Sequence, residues 1–283
     1  MRIAVVGSTG MFGSELLNFL DAKGLENQGF DRRNLDFDQS PASLASNFHD
    51  FDAVVNAVAF TAVDKAETDI TEAQTVNGTY AGLLAQASKI VGAKFIHIST
   101  DYVFDGSSNT PYKVDEPLNP KSIYGQSKAL GEQLVAESGA EYSILRTAWL
   151  YGANGRCFPK VMAELLAKNG SVKVVGDQVG QPTWTRDLAE VVLQVANLEA
   201  MPNIVHATST GQTSWAGFAK TVAGTLGMNA EDVVHEISTE EYPTPAKRPS
   251  WSVLDNSSDL LEPIGDWRLR WAAAAPIVLK DFL

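Results

Sequence analysis

At 283 residues, 45% hydrophobic and 20% charged, the chain is long enough for one large core or two joined lobes. Its formal net charge of −12 argues against a nucleic-acid binder, which needs a basic face. No run of about 18 apolar residues is present, the first strand follows Met1 with no leader pattern, and the lone Cys157 allows no internal disulfide; a cytoplasmic protein without a membrane partner is expected.

The elements begin with Arg2 to Val6, a short β-branched run that reads as a buried strand. The turn Gly7-Ser8-Thr9-Gly10-Met11-Phe12-Gly13 follows at once, and Phe12, Leu16, Leu17 and Leu20 then recur at helical spacing. Strand, glycine turn and helix in that order let a backbone approach a pyrophosphate and offer it the free N–H groups of a helix start. The spacing is G-x-x-G-x-x-G, a pattern that a plain tight turn would also fit. Gly29-Phe30-Asp31-Arg32-Arg33 reads as the end of a second strand. There an acidic residue suits the ribose of NAD, whereas arginine suits the 2′-phosphate of NADP. With both kinds side by side the reading favours NADPH, with NADH as the alternative. Asp36, between Leu35 and Phe37, is placed to hydrogen-bond an adenine amino group.

Residues 51–59 form the next buried strand and run into the small residues Ala57 and Ala59. Residues 75–87 read as a helix with Ala81, Leu84 and Ala85 on one face, and residues 93–99 as a strand. Further strands are expected at 142–146 and 172–175. This alternation predicts an α/β, Rossmann-type doubly wound parallel sheet with a smaller C-terminal substrate-binding lobe. Ligands of such sheets sit beyond the carboxyl ends of the strands, so Gly7, Ala57, Ala59, Ser99 and Thr100 belong to one crevice. After about residue 148 loops dominate, notably 178–184 and 242–249. The expected division is 1–147 plus about 171–195 for the nucleotide-binding domain, and 148–170 with 196–283 for the lobe that caps it.

Thr100 ends the apolar strand, and 24 residues on Tyr124 stands four residues before Lys128. Seven Tyr and 22 Lys plus Arg give less than one Tyr-x-x-x-basic pair by chance, so position carries the information. Pro120 lies in a loop and 127–137 looks helical, so Tyr124 and Lys128 share a face near a helix start. An ammonium stabilises a phenolate, and a Tyr so tuned is an acid usable near neutral pH. Thr100 is placed to hydrogen-bond the same carbonyl oxygen.

The order GSTGMFG, NAVAFTAVDKAE, STDYVFDG, YGQSK and RTAWLYG resembles an extended short-chain dehydrogenase/reductase, and more closely the dTDP-4-dehydrorhamnose reductase family. DQVGQPTWTRDLA and PAKRPSWSVLD carry the likeness over nearly the whole chain. The resemblance implies reduction of the C4 ketone of a dTDP-linked 4-keto-6-deoxy sugar to dTDP-L-rhamnose. It implies Tyr124 as proton donor, Lys128 on the nicotinamide ribose and Thr100 on the ketone. Gly7, Gly10, Met11, Phe12 and Gly13 would line the pyrophosphate, with Asp31, Arg32, Asp36, Phe37, Ala57, Ala59 and Thr61 along the rest of the cofactor. Val63, Asp101, Tyr102 and Trp149 would sit by the sugar, and Lys247 and Arg248 would meet the diphosphate. Trp149 also reads as a core aromatic, and Lys247 with Arg248 as a solvated pair.

Some members of that family hold a divalent metal between carboxylates at a dimer contact. Glu15 matches one such position, but Arg186 replaces another, so no metal is expected. His49, His97, His206 and His235 form no ligand-spaced cluster. Cys157 has no His placed to activate it. A monomer or homodimer is expected. Two alternatives differ in class. A dehydratase of the superfamily carries Asp-Glu after its Thr, whereas here Asp101-Tyr102 follow Thr100. A regulatory subunit resembling the β subunit of methionine adenosyltransferase would bind NADP without turnover; the intact Thr100, Tyr124 and Lys128 set favours an enzyme.

Overall fold

The computed structural model describes residues 1–283. Its first half runs β1 (Arg2–Val6), α1 (Met11–Ala22), β2 (Glu26–Phe30), α2 (Pro41–Ala45), β3 (Ala53–Asn56), α3 (Val63–Ala66) and α4 (Ile70–Gln74), then a π-turn (Thr75–Thr79) into α5 (Tyr80–Val91). Next come β4 (Lys94–Thr100), α6 (Ile123–Glu137) and β5 (Tyr142–Thr147). The second half contains β6 (Leu150–Tyr151), α7 (Phe158–Asn169), β7 (Val172–Val175), β8 (Val179–Gly180), β9 (Thr183–Trp184) and α8 (Thr185–Asn197). It ends with β10 (Ile204–His206), β11 (Thr213–Ser214), α9 (Trp215–Thr225), α10 (Ala230–Val233), β12 (Val234–Ile237) and α11 (Trp267–Val278).

Six parallel strands make the central sheet, in the order β10-β5-β4-β3-β1-β2. A parallel sheet is covered on both faces, so its strands read as continuous apolar runs rather than alternating ones. Here Ile3, Val5, Ala53 and Val55 join Leu16, Leu20, Leu188 and Val192 of α1 and α8 on one face. Ala4, Val6 and Val54 join Leu44, Leu84 and Ala85 of α2 and α5 on the other. Chain order reverses at β1, which has β2 on one side and β3 on the other. A crevice opens beyond the carboxyl ends of strands at such a reversal.

A second core gathers α7, β7, α9, β12 and α11 around Tyr151, Phe218, Trp267 and Trp271. Its rings meet at centroid distances of 5.3–5.8 Å, mostly edge to face. The buried Asp187 of α8 accepts from the guanidinium of Arg270 of α11, joining that core to the sheet layer.

Two elements differ from the sequence reading. Sorted by the core each joins, Val172–Val175 pairs with β12 and goes with the second core, whereas Ile204–His206 extends the central sheet. Short apolar strands carry no sign of which sheet receives them. The expected helix over 75–87 is continuous with α4 but widens into the π-turn at Thr75–Thr79 before α5. Periodicity within so short an insertion is indistinguishable from that of an ordinary helix.

Candidate active site

Gly7 leaves β1 with a φ of +89°, which an L side chain rarely adopts. Its N–H donates to the Phe30 carbonyl at 2.7 Å, and a Cβ there would stand 2.8 Å from the Ala57 and Val58 backbone. At Gly13 a Cβ would come 2.2 Å from the Gly7 carbonyl oxygen. The turn is therefore compatible only with glycine at both ends. Gly10 caps α1 without a side chain, so the first-turn N–H groups of Met11, Phe12 and Gly13 gain no side-chain partner. They form a ready anion site. The side chain of Phe12 is buried in the core under α1, leaving only its backbone for a ligand.

Gly7, Gly10, Asp31, Arg32, Phe37, Ala57 and Ala59 line one cleft of about 470 Å³, together with Arg33, Val76 and Tyr80. Asp31 is held by Arg33: the backbone N–H donates at 2.8 Å and the guanidinium at 3.0 and 3.1 Å. These hydrogen bonds keep its carboxyl below the usual carboxylate range. Arg32 stays exposed at the cleft edge. Phe37 stacks on Tyr80 at 5.0 Å, and the exposed Asp36 borders an adjoining cleft. Thr61 and Val63 lie on the segment leading into α3 and line neither cleft.

Beyond β4, the Thr100 hydroxyl donates to Asp101 at 2.8 Å and accepts from the Tyr102 N–H at 3.3 Å. Ser122 caps α6 by accepting from the Gly125 N–H at 3.1 Å. That cap starts the helix at Ile123, so Tyr124 and Lys128 lie on one face of its first turns. Tyr102 meets the Tyr124 ring edge to face at 5.5 Å. Burial pushes the Tyr124 phenol well up; the Thr100 hydroxyl facing it draws it partly back, while Asp101 and Tyr102 push it further. Lys128 does not lower it. Its ammonium donates to the Ile98 carbonyl at 2.6 Å, and burial moves its own pKa down to about 8. Burial therefore dominates the balance at Tyr124. Burial also pushes Asp101 up to about 6, against hydrogen bonds from Ser252 and Thr100.

Sequence reading missed Asn77. Its carboxamide accepts from the Phe60 N–H at 2.8 Å and donates to the Ser127 hydroxyl at 2.9 Å, and that hydroxyl donates to the Tyr124 carbonyl at 2.7 Å. The π-turn carries Asn77, so the widened helix positions the start of α6 and the Phe60 segment together. Nothing in the local sequence pattern marks it.

Trp149 has a φ of +48°, unusual for a bulky residue. Its ring lies 3.5 Å from that of Trp215 at 6°, with Gly180 against its edge. Arg248 donates to Asp64 at 2.6 Å and to the Tyr102 hydroxyl at 3.4 Å, while Lys247 beside it is exposed. That draws the 243–249 segment to the Tyr102 side of the crevice. Glu15 is held above the usual carboxylate range by burial, with the Arg186 charge countering it. Cys157 is buried in the second core.

The family model described as RmlD substrate binding domain matches residues 1–283. The chain is 40% identical to a dTDP-4-dehydrorhamnose reductase of Burkholderia thailandensis, the match covering 100% of this chain and 99% of that one. It is 38% identical to a probable dTDP-4,6-dihydroxy-2-methyloxan-3-one 4-ketoreductase of Streptomyces antibioticus, covering 99% and 96%. Among solved structures, a dTDP-4-dehydrorhamnose reductase of Bacillus anthracis in complex with NADP superposes with a TM-score of 0.91 at 32% identity, over 97% of this chain and 98% of that one.

Proposed function

The chain belongs to the RmlD substrate binding domain family, and on that premise we propose that it reduces the C4 ketone of dTDP-4-dehydro-6-deoxy-L-mannose to dTDP-L-rhamnose with NADPH. The observation that carries this reading is the convergence of Thr100, Tyr124 and Lys128 beyond the strand ends, beside a glycine cradle with no room for a Cβ. The cradle fits a dinucleotide: its N–H groups take a pyrophosphate, and Arg32 with Arg33 supplies positive charge for a 2′-phosphate. When bound, NADPH supplies the hydride.

The protein supplies the proton and the geometry. Tyr124 holds the proton that the ketone oxygen takes as it becomes an alkoxide, a stronger base than phenolate. A phenol held above its usual range retains that proton until the oxygen needs it. Thr100 orients the oxygen by a hydrogen bond. Lys128 binds the nicotinamide ribose. Asp36 and Phe37 flank the adenine, and Ala57, Ala59 and Thr61 the passage from ribose to nicotinamide. Val63, Asp101, Tyr102 and Trp149 shape the sugar pocket, and Lys247 with Arg248 meets the diphosphate.

The test is NADPH oxidation with enzymatically generated dTDP-6-deoxy-L-lyxo-4-hexulose, the product being identified by NMR. dTDP-L-rhamnose from the wild type, with a large loss in Tyr124→Phe, is the expected outcome. A C4 epimer, or turnover only with a different dTDP-linked keto sugar, would move the assignment to the second reading that the Streptomyces antibioticus relative favours. NADPH binding without oxidation of any such sugar would sink the enzymatic reading.

A further inference from the structure

We infer that Glu132 is a positioning residue for this reduction: one turn beyond Lys128 on α6, its carboxylate places a fixed negative charge beside that lysine and ties α6 to the strand ends that carry Thr100. The inference rests on the function proposed above and adds a residue to it.

Glu132 is 4% exposed and Arg146 2%. The Arg146 guanidinium donates to the carboxylate at 3.0, 3.2 and 2.7 Å, and the Ser99 hydroxyl donates to it at 2.5 Å. The third guanidinium nitrogen donates to the Val114 carbonyl at 3.0 Å, and the guanidinium carbon stands 5.1 Å over the Phe104 ring. Ser99 and Arg146 are register partners in β4 and β5, and Thr100 pairs with Thr147 one residue on. The carboxylate thus joins the next-to-last residues of both strands to the helix that carries Tyr124 and Lys128.

Stability alone does not explain such a pair. Replacing a buried ion pair by well-packed apolar residues is often neutral or stabilising. Its position relative to Lys128 supplies a reason. Lys128 is 1% exposed. On its own helix it faces Tyr124 and Glu132; from β4 it faces His97 and the Ile98 carbonyl; Arg146 of β5 lies beyond Glu132, and Asp101 acts on Tyr124. The π-turn contributes only neutral Asn77. His97 is held neutral by burial and by the Lys128 charge. Burial pushes Lys128 down, and Glu132 is the charge that pulls it back up.

At an effective dielectric of about 20, a unit charge about 6–10 Å away is worth about one to two pH units. Arg146, opposite in sign and beyond Glu132, returns part of that. Activity that needs a charged Lys128 is lost as pH rises through about 8. Removing the negative charge must therefore move that limb to lower pH.

The experiment is the pH dependence of kcat/KM, and in parallel of NADPH affinity by fluorescence, for wild type, Glu132→Gln, Glu132→Asp and Arg146→Met. Glu132→Gln should lower the alkaline limb by about one pH unit, Glu132→Asp should restore it, and Arg146→Met should raise it by leaving Glu132 uncompensated. If Glu132→Gln does not fold, the upward shift in Arg146→Met and the unshifted limb in Glu132→Asp carry the test. Superimposable limbs in all folded variants would overturn the inference. A wild type that binds NADPH but reduces no sugar would instead overturn the functional reading, and the binding profiles would still decide the role of Glu132.

Discussion

Gly131→Ala sets two effects of opposite sign against each other. Alanine in place of a mid-helix glycine normally stabilises by about 1 kcal/mol. At Gly131, in the middle of α6, a Cβ would stand 2.2 Å from the Asn77 carbonyl oxygen and 3.4 Å from His97 Nε2. Carbon–oxygen contacts in proteins begin near about 3.3 Å, so α6 and the π-turn must part by about 1 Å. Overpacking against backbone costs about 1–3 kcal/mol, because the obstacle cannot rotate away. The net expectation is a destabilisation of about 0–2 kcal/mol, against the gain expected without the close contact. The same shift strains the Asn77–Ser127 hydrogen bond at 2.9 Å, next to Tyr124. A displacement of about 1 Å can cost about 100-fold in turnover, so kcat should fall further than stability. Urea unfolding followed by circular dichroism, with kcat measured on the same preparation, gives both numbers. Gly224→Ala is the control: nothing lies within 4 Å of its Cβ near the end of α9, and it should stabilise by about 0.5 kcal/mol. If Gly131→Ala were as stable as Gly224→Ala and turned over normally, the close approach of α6 to the π-turn would be refuted.

Three further outcomes are expected. Tyr124→Phe should lower kcat by about 100-fold or more while leaving NADPH affinity within about twofold, as judged by fluorescence titration; equal losses in both would assign Tyr124 to binding alone. Arg33→Ala frees the Asp31 carboxylate toward the cofactor ribose, so the ratio of kcat/KM for NADPH over NADH should fall by about tenfold or more, and an unchanged ratio would remove Arg33 from cofactor choice. His206 is pushed down to about 4 by burial, with Arg146 adding to the effect. Between about pH 6.5 and 4 the unfolded chain therefore binds a proton that the fold refuses, and stability falls as pH drops, by up to about 3 kcal/mol. His206→Asn should lose less stability than wild type over that window, and parallel curves would show that His206 does not contribute.

The glycine turn was legible because its chemistry is local. Gly7 and Gly13 follow a strand and open a helix; the close approach at Gly13 lies within that unit, and the one at Gly7 is to Ala57 and Val58 just beyond β3. Tyr124 and Lys128 were legible for the same reason, since four residues on a helix fix a shared face. What escaped was set by distant packing. Asn77 matters because Phe60 and Ser127 come to it from elsewhere in the chain, across a π-turn. Glu132 meets Arg146 only through the pairing of β4 with β5. The burial of Tyr124 and the hydrogen bond from Lys128 to the Ile98 carbonyl are likewise set by packing that the local pattern does not show. The pairing of Arg248 with Asp64 joins residues 184 apart, which no local pattern shows.

The place of β10 in the sheet bears on how the chain emerges from the ribosome. At about 5–20 residues per second, the stretch from Thr147 to Ile204 takes several seconds to synthesise. Throughout that interval β5 waits as an open edge, and the α1 face of the sheet lacks the apolar side of α8. Unpaired edges and bare apolar faces recruit other chains. Nascent chains stalled between these two points should therefore engage chaperones, and release them once β10 and α8 have cleared the exit tunnel.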